Sequence, residues 1–156
     1  MSGLDQLYQQ IILDAARERY GEGNLENPDG ESFQVNPTCG DQVKMQVQLS
    51  EDGSRISHIA WEGHGCSISQ ASISIMTEML EGLEIAEVEK IYNVFREMMD
   101  NRGHDISAAD SELLDAAAAF QGVSKFPARI KCALLGWMAL LDATTQATAQ
   151  EGKNHE

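Results

Sequence analysis

Basic residues are scarce in this sequence of 156 residues: 11 lysines and arginines stand against 25 aspartates and glutamates, for a net charge of −14. A surface with this excess of negative charge repels a phosphate backbone, so we expect no nucleic-acid partner. The same charge suits docking to a basic protein surface, and it is equally compatible with a role in solubility alone.

Long apolar runs are absent as well. No segment approaches the roughly 20 consecutive apolar residues that a membrane span requires, so we predict no membrane association. Residues 1–10 also lack the basic cluster followed by an apolar stretch that is typical of a secretory signal. We therefore predict a cytoplasmic protein.

Cysteine is limited to three positions, Cys39, Cys66 and Cys132. A small, odd number of cysteines in a chain without an export signal argues against a disulfide framework. Three thiols and one further ligand would, however, complete a tetrahedral metal site. The sequence contains no CxxC pair, which would be the stronger zinc signal, so a metal site is at this point one hypothesis among others.

The length and the ordinary globular composition predict one domain over residues 1–150, followed by a disordered tail over residues 151–156. Helical spacing of apolar residues predicts helices over residues 4–20, 68–80, 84–100 and 109–120. Pro127 suits the first turn of a further long helix.

Strand patterns occur mainly between the first and second of these helices. Residues 43–49 and 57–61 alternate apolar and polar side chains around a turn at residues 51–54, which predicts a hairpin. Residues 22–38 are rich in Gly, Asn and Pro and predict a loop with a short strand around Phe33 and Val35. We therefore predict an α+β fold, in which a small antiparallel three-stranded sheet packs against several helices.

Each cysteine lies close to the end of a predicted element. Cys39 precedes the first strand of the hairpin, Cys66 lies between a strand and a helix, and Cys132 lies early in the last helix. A rigid scaffold can bring side chains at such positions to a common point. Gly40 would let Cys39 and Asp41 turn towards one ion, and the helix that follows Cys66 would favour its thiolate.

Each of these residues also has a simpler interpretation. Cys132, in an apolar helix, suits a small buried hydrophobe. Asp41 alone suits a solvated carboxylate at the end of a strand. His64, two residues before Cys66, is an alternative metal ligand.

Three segments resemble the signatures of the U-type iron–sulfur cluster assembly proteins, a family that includes SufU, IscU and the N-terminal part of NifU. They are Cys-Gly-Asp at 39–41, Gly-His-Gly-Cys-Ser-Ile-Ser at 63–69 and Pro-Ala-Arg-Ile-Lys-Cys at 127–132. The resemblance runs from about residue 4 to residue 141. It points to the SufU branch, because Lys131 stands where the scaffold branch has a histidine and residues 82–103 resemble that branch's extra segment.

This resemblance implies the U-type scaffold fold and a zinc site formed by Cys39, Asp41, Cys66 and Cys132. It also implies that Cys39 is a sulfur acceptor. Arg129 matches a family arginine one turn before Cys132, where its charge would assist at the site. A plain surface arginine is the alternative interpretation of Arg129.

The resemblance further implies a function in iron–sulfur cluster assembly. The protein would take persulfide sulfur from a SufS-type cysteine desulfurase and serve downstream cluster assembly proteins, as an acceptor and activator of the desulfurase and not a free-standing enzyme. Two alternatives use the same ligands: a scaffold that holds iron or a transient [2Fe–2S] cluster, and a structural zinc domain. Because Lys131 is a poor metal ligand at neutral pH, its presence favours sulfur relay over cluster assembly.

Overall fold

The computed structural model describes residues 3–38 and 40–154, without the side chains of residue 4 and residues 150–154. Cys39 therefore lies outside the described residues. The elements are α1 (Gly3–Glu18), β1 (Gly30–Asn36), β2 (Asp41–Leu49), β3 (Ile56–His64), α2 (Ser67–Leu80), α3 (Ile85–Asp100), α4 (Ala108–Leu114), a 3₁₀ segment (Asp115–Lys125) and α5 (Pro127–Asn154). The predicted α+β class is confirmed.

The three strands form one antiparallel sheet in the order β1-β2-β3. The predicted hairpin is confirmed as β2 and β3, whose alternate side chains Val43, Met45 and Val47 are fully buried under the helices. In the connecting turn the Ser54 backbone N–H, and then the hydroxyls of Ser50 and Ser54, donate to the Asp52 carboxylate. These bonds lower the pKa of Asp52 to about 2.

Strand β1 is longer than the short strand predicted around Phe33 and Val35. All seven of its residues pair with β2, ending at the pair Asn36 and Asp41. Its apolar side chains, Phe33 and Val35, are exposed, whereas its inward positions carry small or polar residues such as Ser32. Buried apolar residues at alternate positions, which mark a half-buried strand, are therefore missing from β1. Cross-strand hydrogen bonds to β2 stabilise it as a strand instead.

Helix α5 packs across the inner face of β1. Gly30 lies so close to this helix that a Cβ there would be 1.9 Å from the carbonyl oxygen of Ala143. Two residues further along β1, the Ser32 hydroxyl donates a hydrogen bond to the Asp142 carboxylate at 2.6 Å. These contacts fix the position of α5, and so of Cys132, relative to the sheet.

A buried polar contact joins α2 to α5. The Ser72 hydroxyl donates to the carbonyl oxygen of Ala133 at 2.7 Å and accepts from the indole N–H of Trp137 at 3.0 Å. Ala133 directly follows Cys132. The helix that begins after Cys66 is thus clamped to the helix that carries Cys132.

The segment 82–103 forms α3 and contributes to the core around α5. The ring of Phe95 stacks on Trp137, with centroids 4.2 Å apart, and meets the ring of Phe120 edge-on at 6.0 Å. Aromatic pairs of this geometry stabilise a core beyond the area that they bury. This segment therefore supports α5 through Trp137, in addition to the sheet contact made by Ser32.

The helix predicted over residues 109–120 is wrong in its second half. Helix α4 ends at Leu114, Asp115 adopts a left-handed conformation with φ 48°, and the chain continues as the 3₁₀ segment. The alanine run that follows has high helix propensity, but the burial of Phe120 and its neighbours selects the tighter turn.

Helix α5 begins at Pro127, as predicted, and continues to Asn154. The disordered tail predicted from residue 151 therefore differs from the structure over residues 151–154, where the helix continues after the good helix formers Ala147, Ala149 and Glu151. Residues 155–156 lie outside the described residues. Among the helices described, none combines the length and the apolar character needed to cross a bilayer.

Candidate metal centre

Asp41, Cys66 and Cys132 come together at one end of the sheet. One ligand atom from each residue lies within 4.8 Å of the ligand atoms of the other two. Asp41 is the first residue of β2, Cys66 directly precedes α2, and Cys132 lies in the second turn of α5. The structure thus assembles three of the four residues predicted as ligands, and the fourth, Cys39, is outside the residues it describes.

Asp41 is fully buried, so its interpretation as a solvated carboxylate is wrong. Its Oδ1 accepts a hydrogen bond from the backbone N–H of Cys66 at 2.8 Å, and its Oδ2 lies 3.8 Å from the Cys66 Sγ. Burying a carboxylate is costly unless it is hydrogen-bonded, paired or bound to a metal. The carboxylate is therefore held in place with one oxygen directed at a thiol.

Glycine at position 65 is required by the close approach of Asp41. A Cβ on Gly65 would lie 2.2 Å from the Asp41 Oδ1 and 2.9 Å from its Cα, which is backbone and cannot move aside cheaply. Gly40 has a different role, because its φ of +71° lies in the left-handed region that side chains disfavour. Both glycines of the motifs thus have a physical use at the site.

Gly65→Ala should displace the Asp41 carboxylate from the thiols, and we expect it to weaken zinc binding by about tenfold, the loss typical when a partner that orients a ligand is removed. Chelator competition measures the dissociation constant. Gly23→Ala is the matched control, since Gly23 has nearly the same φ, +156° against +155° for Gly65, and a Cβ there has no atom within 4 Å. Equal zinc affinity in the two variants would contradict this account of Gly65.

Cys66 lies between a strand and a helix, as predicted; it is the N-cap residue of α2, and its side chain makes no capping hydrogen bond. Its carbonyl oxygen accepts from the N–H of Gln70 and from the Ser69 hydroxyl, at 3.1 Å each. The backbone is therefore fixed while the half-exposed thiol stays available to the group.

Arg19 holds the link between β3 and α2, and sequence patterns did not single it out. Its guanidinium donates to the carbonyl oxygen of Gly63 at 2.8 Å and to Gln70 at 2.6 Å, and it lies 4.8 Å from the ring centre of Trp61. These contacts span the loop that carries Cys66. The basic residue at the end of α1 gave no periodic signal, because its partners are distant in sequence.

Cys132 is fully buried, which by itself suits the small-hydrophobe interpretation. Its neighbours, however, include a buried carboxylate and a second thiol, a polar set that an apolar side chain would not need. Burial and ligand-type neighbours together favour a ligand role for Cys132.

Three flanking residues lie outside this group. His64 is exposed and pairs with Gln42 across β2 and β3. Gln42 directly follows Asp41, so the side chains of Gln42 and His64 project from the face of the sheet opposite to that of Asp41. It is not part of the group formed by the described residues, so the structure does not support it as a ligand. Lys131 and Arg129 are exposed on α5.

The donor set fits a tetrahedral zinc ion. Two ligands of one such ion, at Zn–S and Zn–O bond lengths of about 2.3 and 2.1 Å, lie roughly 3.5–3.8 Å apart. The separation of 3.8 Å between the Asp41 Oδ2 and the Cys66 Sγ agrees with this value. The three residues leave one tetrahedral position for a further ligand.

Comparison with known proteins agrees with the fold. The chain matches the NifU-like N-terminal domain family over residues 7–143 and therefore belongs to it. It is 42% identical over 142 residues to the zinc-dependent sulfurtransferase SufU of Bacillus subtilis. This alignment covers 89% of this chain and 90% of that protein. The resemblance inferred from the three motifs is confirmed.

A scaffold relative and a solved structure extend this comparison. The chain is 35% identical over 163 residues to the iron–sulfur cluster assembly scaffold protein IscU of Streptococcus pyogenes serotype M1, covering 99% of this chain and 98% of that one. Its fold matches the crystal structure of FiSufU from Fervidobacterium islandicum AW-1, described as a candidate assembly scaffold for the SUF system. The TM-score is 0.78 and the identity 30%, over 89% of this chain and 97% of that chain.

Proposed function

We propose that this protein is a zinc-dependent sulfur acceptor and relay of iron–sulfur cluster assembly, which takes persulfide sulfur from a SufS-type cysteine desulfurase onto Cys39. The observation that carries the proposal is the buried carboxylate of Asp41 beside the thiols of Cys66 and Cys132. The similarity to the Bacillus subtilis zinc-dependent sulfurtransferase supports it.

In this proposal Cys39, Asp41, Cys66 and Cys132 hold the zinc ion. Gly40, which separates Cys39 from Asp41, supports this arrangement, because its left-handed conformation turns the chain sharply just before β2. Bound zinc keeps coordinating thiols deprotonated at neutral pH and carries no electrons itself. The chain's own residues then determine which sulfur is exposed to a partner.

The chemical step is a sulfur transfer of the thiol–disulfide exchange type. The Cys39 thiolate attacks the outer sulfur of the desulfurase persulfide, Enz–S–SH. A bond forms between the Cys39 sulfur and that outer sulfur, the S–S bond of the desulfurase breaks, and the desulfurase cysteine leaves as a thiolate. The outer sulfur keeps its proton and its oxidation state, so no external oxidant or reductant is needed.

One basic residue near the site, Arg129, bears on partner binding. Arg129 is exposed one turn before Cys132, and we assign it to hold negative charge at the entrance to the site. The remaining surface is strongly acidic, with a net charge of −14 for the chain, and suits a basic docking surface on the desulfurase. We place this exchange, and delivery to downstream assembly proteins, in the cytoplasm.

A second candidate is a scaffold on which a [2Fe–2S] cluster is assembled and transferred. The similarity to the Streptococcus pyogenes scaffold protein favours it, and thiolates also bind cluster iron. Against it, the residue before Cys132 is Lys131, which is exposed and offers no imidazole to the site. The nature of the metal in the purified protein separates the two candidates.

The test combines metal analysis with a transfer assay. We expect the purified protein to contain stoichiometric zinc without acid-labile sulfide, and to raise the turnover of its desulfurase with cysteine as substrate. Peptide mass spectrometry should then find the added sulfur on Cys39. Iron with acid-labile sulfide, and no rise in desulfurase turnover, would contradict the relay and support the scaffold.

A further inference from the structure

Arg19 has a backbone conformation that arginine disfavours. It directly follows α1 and has a φ of 48°, in the left-handed region that few residues other than glycine adopt. Its N–H donates to the carbonyl oxygen of Ala15 at 3.2 Å, and glycine is the usual residue in this conformation at the end of a helix. Residues with such strain persist where their surroundings hold them, and they are frequent at functional sites. The reason for an arginine at this position therefore lies in its side chain.

The Arg19 guanidinium uses all three of its nitrogens on three different partners. Its Nη2 donates to the carbonyl oxygen of Gly63 at 2.8 Å, and its Nη1 donates to the Oε1 of Gln70 at 2.6 Å. Its Nε donates to the Glu22 carboxylate at 2.6 Å, and Nη2 also pairs with this carboxylate. The planar fork of arginine lets these bonds form together, whereas lysine presents a single ammonium group.

Two of these partners, Gly63 and Gln70, lie on either side of Cys66 in the sequence. Gln70 also reaches the backbone of Cys66. Its N–H donates to the Cys66 carbonyl oxygen at 3.1 Å, and its Nε2 donates at 3.1 Å to the Ser69 hydroxyl, which donates to the same carbonyl oxygen. Arg19 thus holds both ends of the segment 63–70 and begins a chain of hydrogen bonds that leads to Cys66.

The position of this segment sets the distance between two residues of the metal centre. The backbone N–H of Cys66 donates to the Oδ1 of Asp41 at 2.8 Å, and the Cys66 Sγ lies 3.8 Å from its Oδ2. The Cys66 thiol is only partly buried, whereas Cys132 is fully buried. Because burial does not confine the Cys66 thiol, its place depends on the backbone that carries it.

We propose that Arg19 is a positioning residue of the metal centre, which holds the backbone on both sides of Cys66 so that this thiol stays beside Asp41. The inference rests on the proposed function, which places zinc at this centre. Residues that orient metal ligands change the metal affinity although they do not bind the metal themselves. Arg19 follows α1, so it also links this helix to a centre whose described residues all lie in later elements.

Arg19→Gly separates positioning from stability. Glycine adopts the left-handed conformation without strain, so the change relieves the backbone while it removes all the side-chain bonds. We expect zinc to bind about tenfold more weakly in chelator competition. In the metal-free protein, iodoacetamide should alkylate Cys66 faster than in the wild type and Cys132 at an unchanged rate, because only Cys66 loses its anchor. Peptide mass spectrometry follows both rates.

Arg102→Gly is the matched control. Arg102 has nearly the same φ, 53°, and lies exposed in the turn after α3, outside the network around Cys66. The same substitution there relieves the same backbone conformation and removes the same charge. Its zinc affinity and its rate of Cys66 alkylation should therefore equal those of the wild type. If the two glycine variants bind zinc equally well, the proposal is wrong.

Arg19→Lys tests whether charge alone is sufficient. It keeps the positive charge and the left-handed backbone but lacks the fork that bonds Gly63 and Gln70 together. It should bind zinc more weakly than the wild type and should again alkylate faster at Cys66. Wild-type values in both measurements would overturn the positioning role. This variant decides the question if Arg19→Gly does not fold.

The alkylation measurement separates this proposal from the proposed function, because it needs neither zinc nor the desulfurase. Zinc in the wild-type protein and sulfur on Cys39, together with unchanged zinc affinity and alkylation in Arg19→Gly, would remove the positioning role alone. A wild-type protein that purifies without zinc, together with faster alkylation of Cys66 in Arg19→Gly, would remove the zinc function and leave Arg19 as the residue that holds Cys66.

Discussion

Cys39→Ala should abolish sulfur acceptance, because it removes the only thiol that the proposed transfer uses as nucleophile. The structure describes the surroundings of the other two thiols. Cys132 is fully buried on α5, and Cys66 lies against the buried carboxylate of Asp41. Cys132 is therefore poorly placed for attack on a persulfide held by another protein, since nucleophilic displacement at sulfur requires access, and partly exposed Cys66 is the more accessible of the two.

The measurement is peptide mass spectrometry after incubation with the desulfurase and cysteine, with desulfurase turnover followed in parallel. The variant should show no added sulfur at Cys66 or Cys132 and no rise in turnover. Metal content is the control, because Asp41, Cys66 and Cys132 remain and can retain bound zinc. Full turnover, or sulfur on either remaining cysteine, would refute the acceptor assignment even if the zinc is retained.

Asp41→Asn should weaken zinc binding while leaving the fold intact. The amide oxygen can replace Oδ1 as acceptor for the N–H of Cys66, but the neutral side chain no longer supplies an anionic ligand. We expect the zinc affinity to fall by at least the roughly 10–100-fold that is typical when only the orientation of a ligand is disturbed. Chelator competition measures this change.

Asp41→Ala separates the two functions of this carboxylate. It removes the ligand and also leaves the part-buried N–H of Cys66 without its acceptor, and the loss of such a bond costs about 1 kcal/mol. For a chain of this size, each kcal/mol corresponds to roughly 2–4 °C in Tm. The metal-free alanine variant should therefore melt below the metal-free asparagine variant. Wild-type zinc affinity in both would show that Asp41 is no ligand.

The sheet shows where pattern recognition succeeds and where it stops. The hairpin was predicted correctly because β2 has one buried face, with Val43, Met45 and Val47 alternating with polar residues. Strand β1 was predicted too short because Phe33 and Val35 face outwards and its buried positions are small or polar. Its length is set by pairing with β2 and by the close approach of α5 at Gly30.

In the helical half of the chain, too, some helix boundaries follow from local sequence and others only from tertiary packing. The start of α5 at Pro127 follows from local chemistry, since proline suits the first turn of a helix. The end of α4 at Leu114 does not follow from local chemistry, because nothing in the alanine run after it favours a break in the helix. There the burial of Phe120 against Phe95 overrides helix propensity.

The sequence by itself determined the candidate ligands, the α+β class and the family, because thiols, glycines and short motifs keep their chemistry whatever surrounds them. Only the tertiary structure decided that Asp41, Cys66 and Cys132 meet, since they come from three elements far apart in the chain. It also decided that Asp41 is buried and that Arg19 holds the backbone on both sides of Cys66. Burial and hydrogen-bond satisfaction are properties of packed neighbours, and no local pattern encodes them.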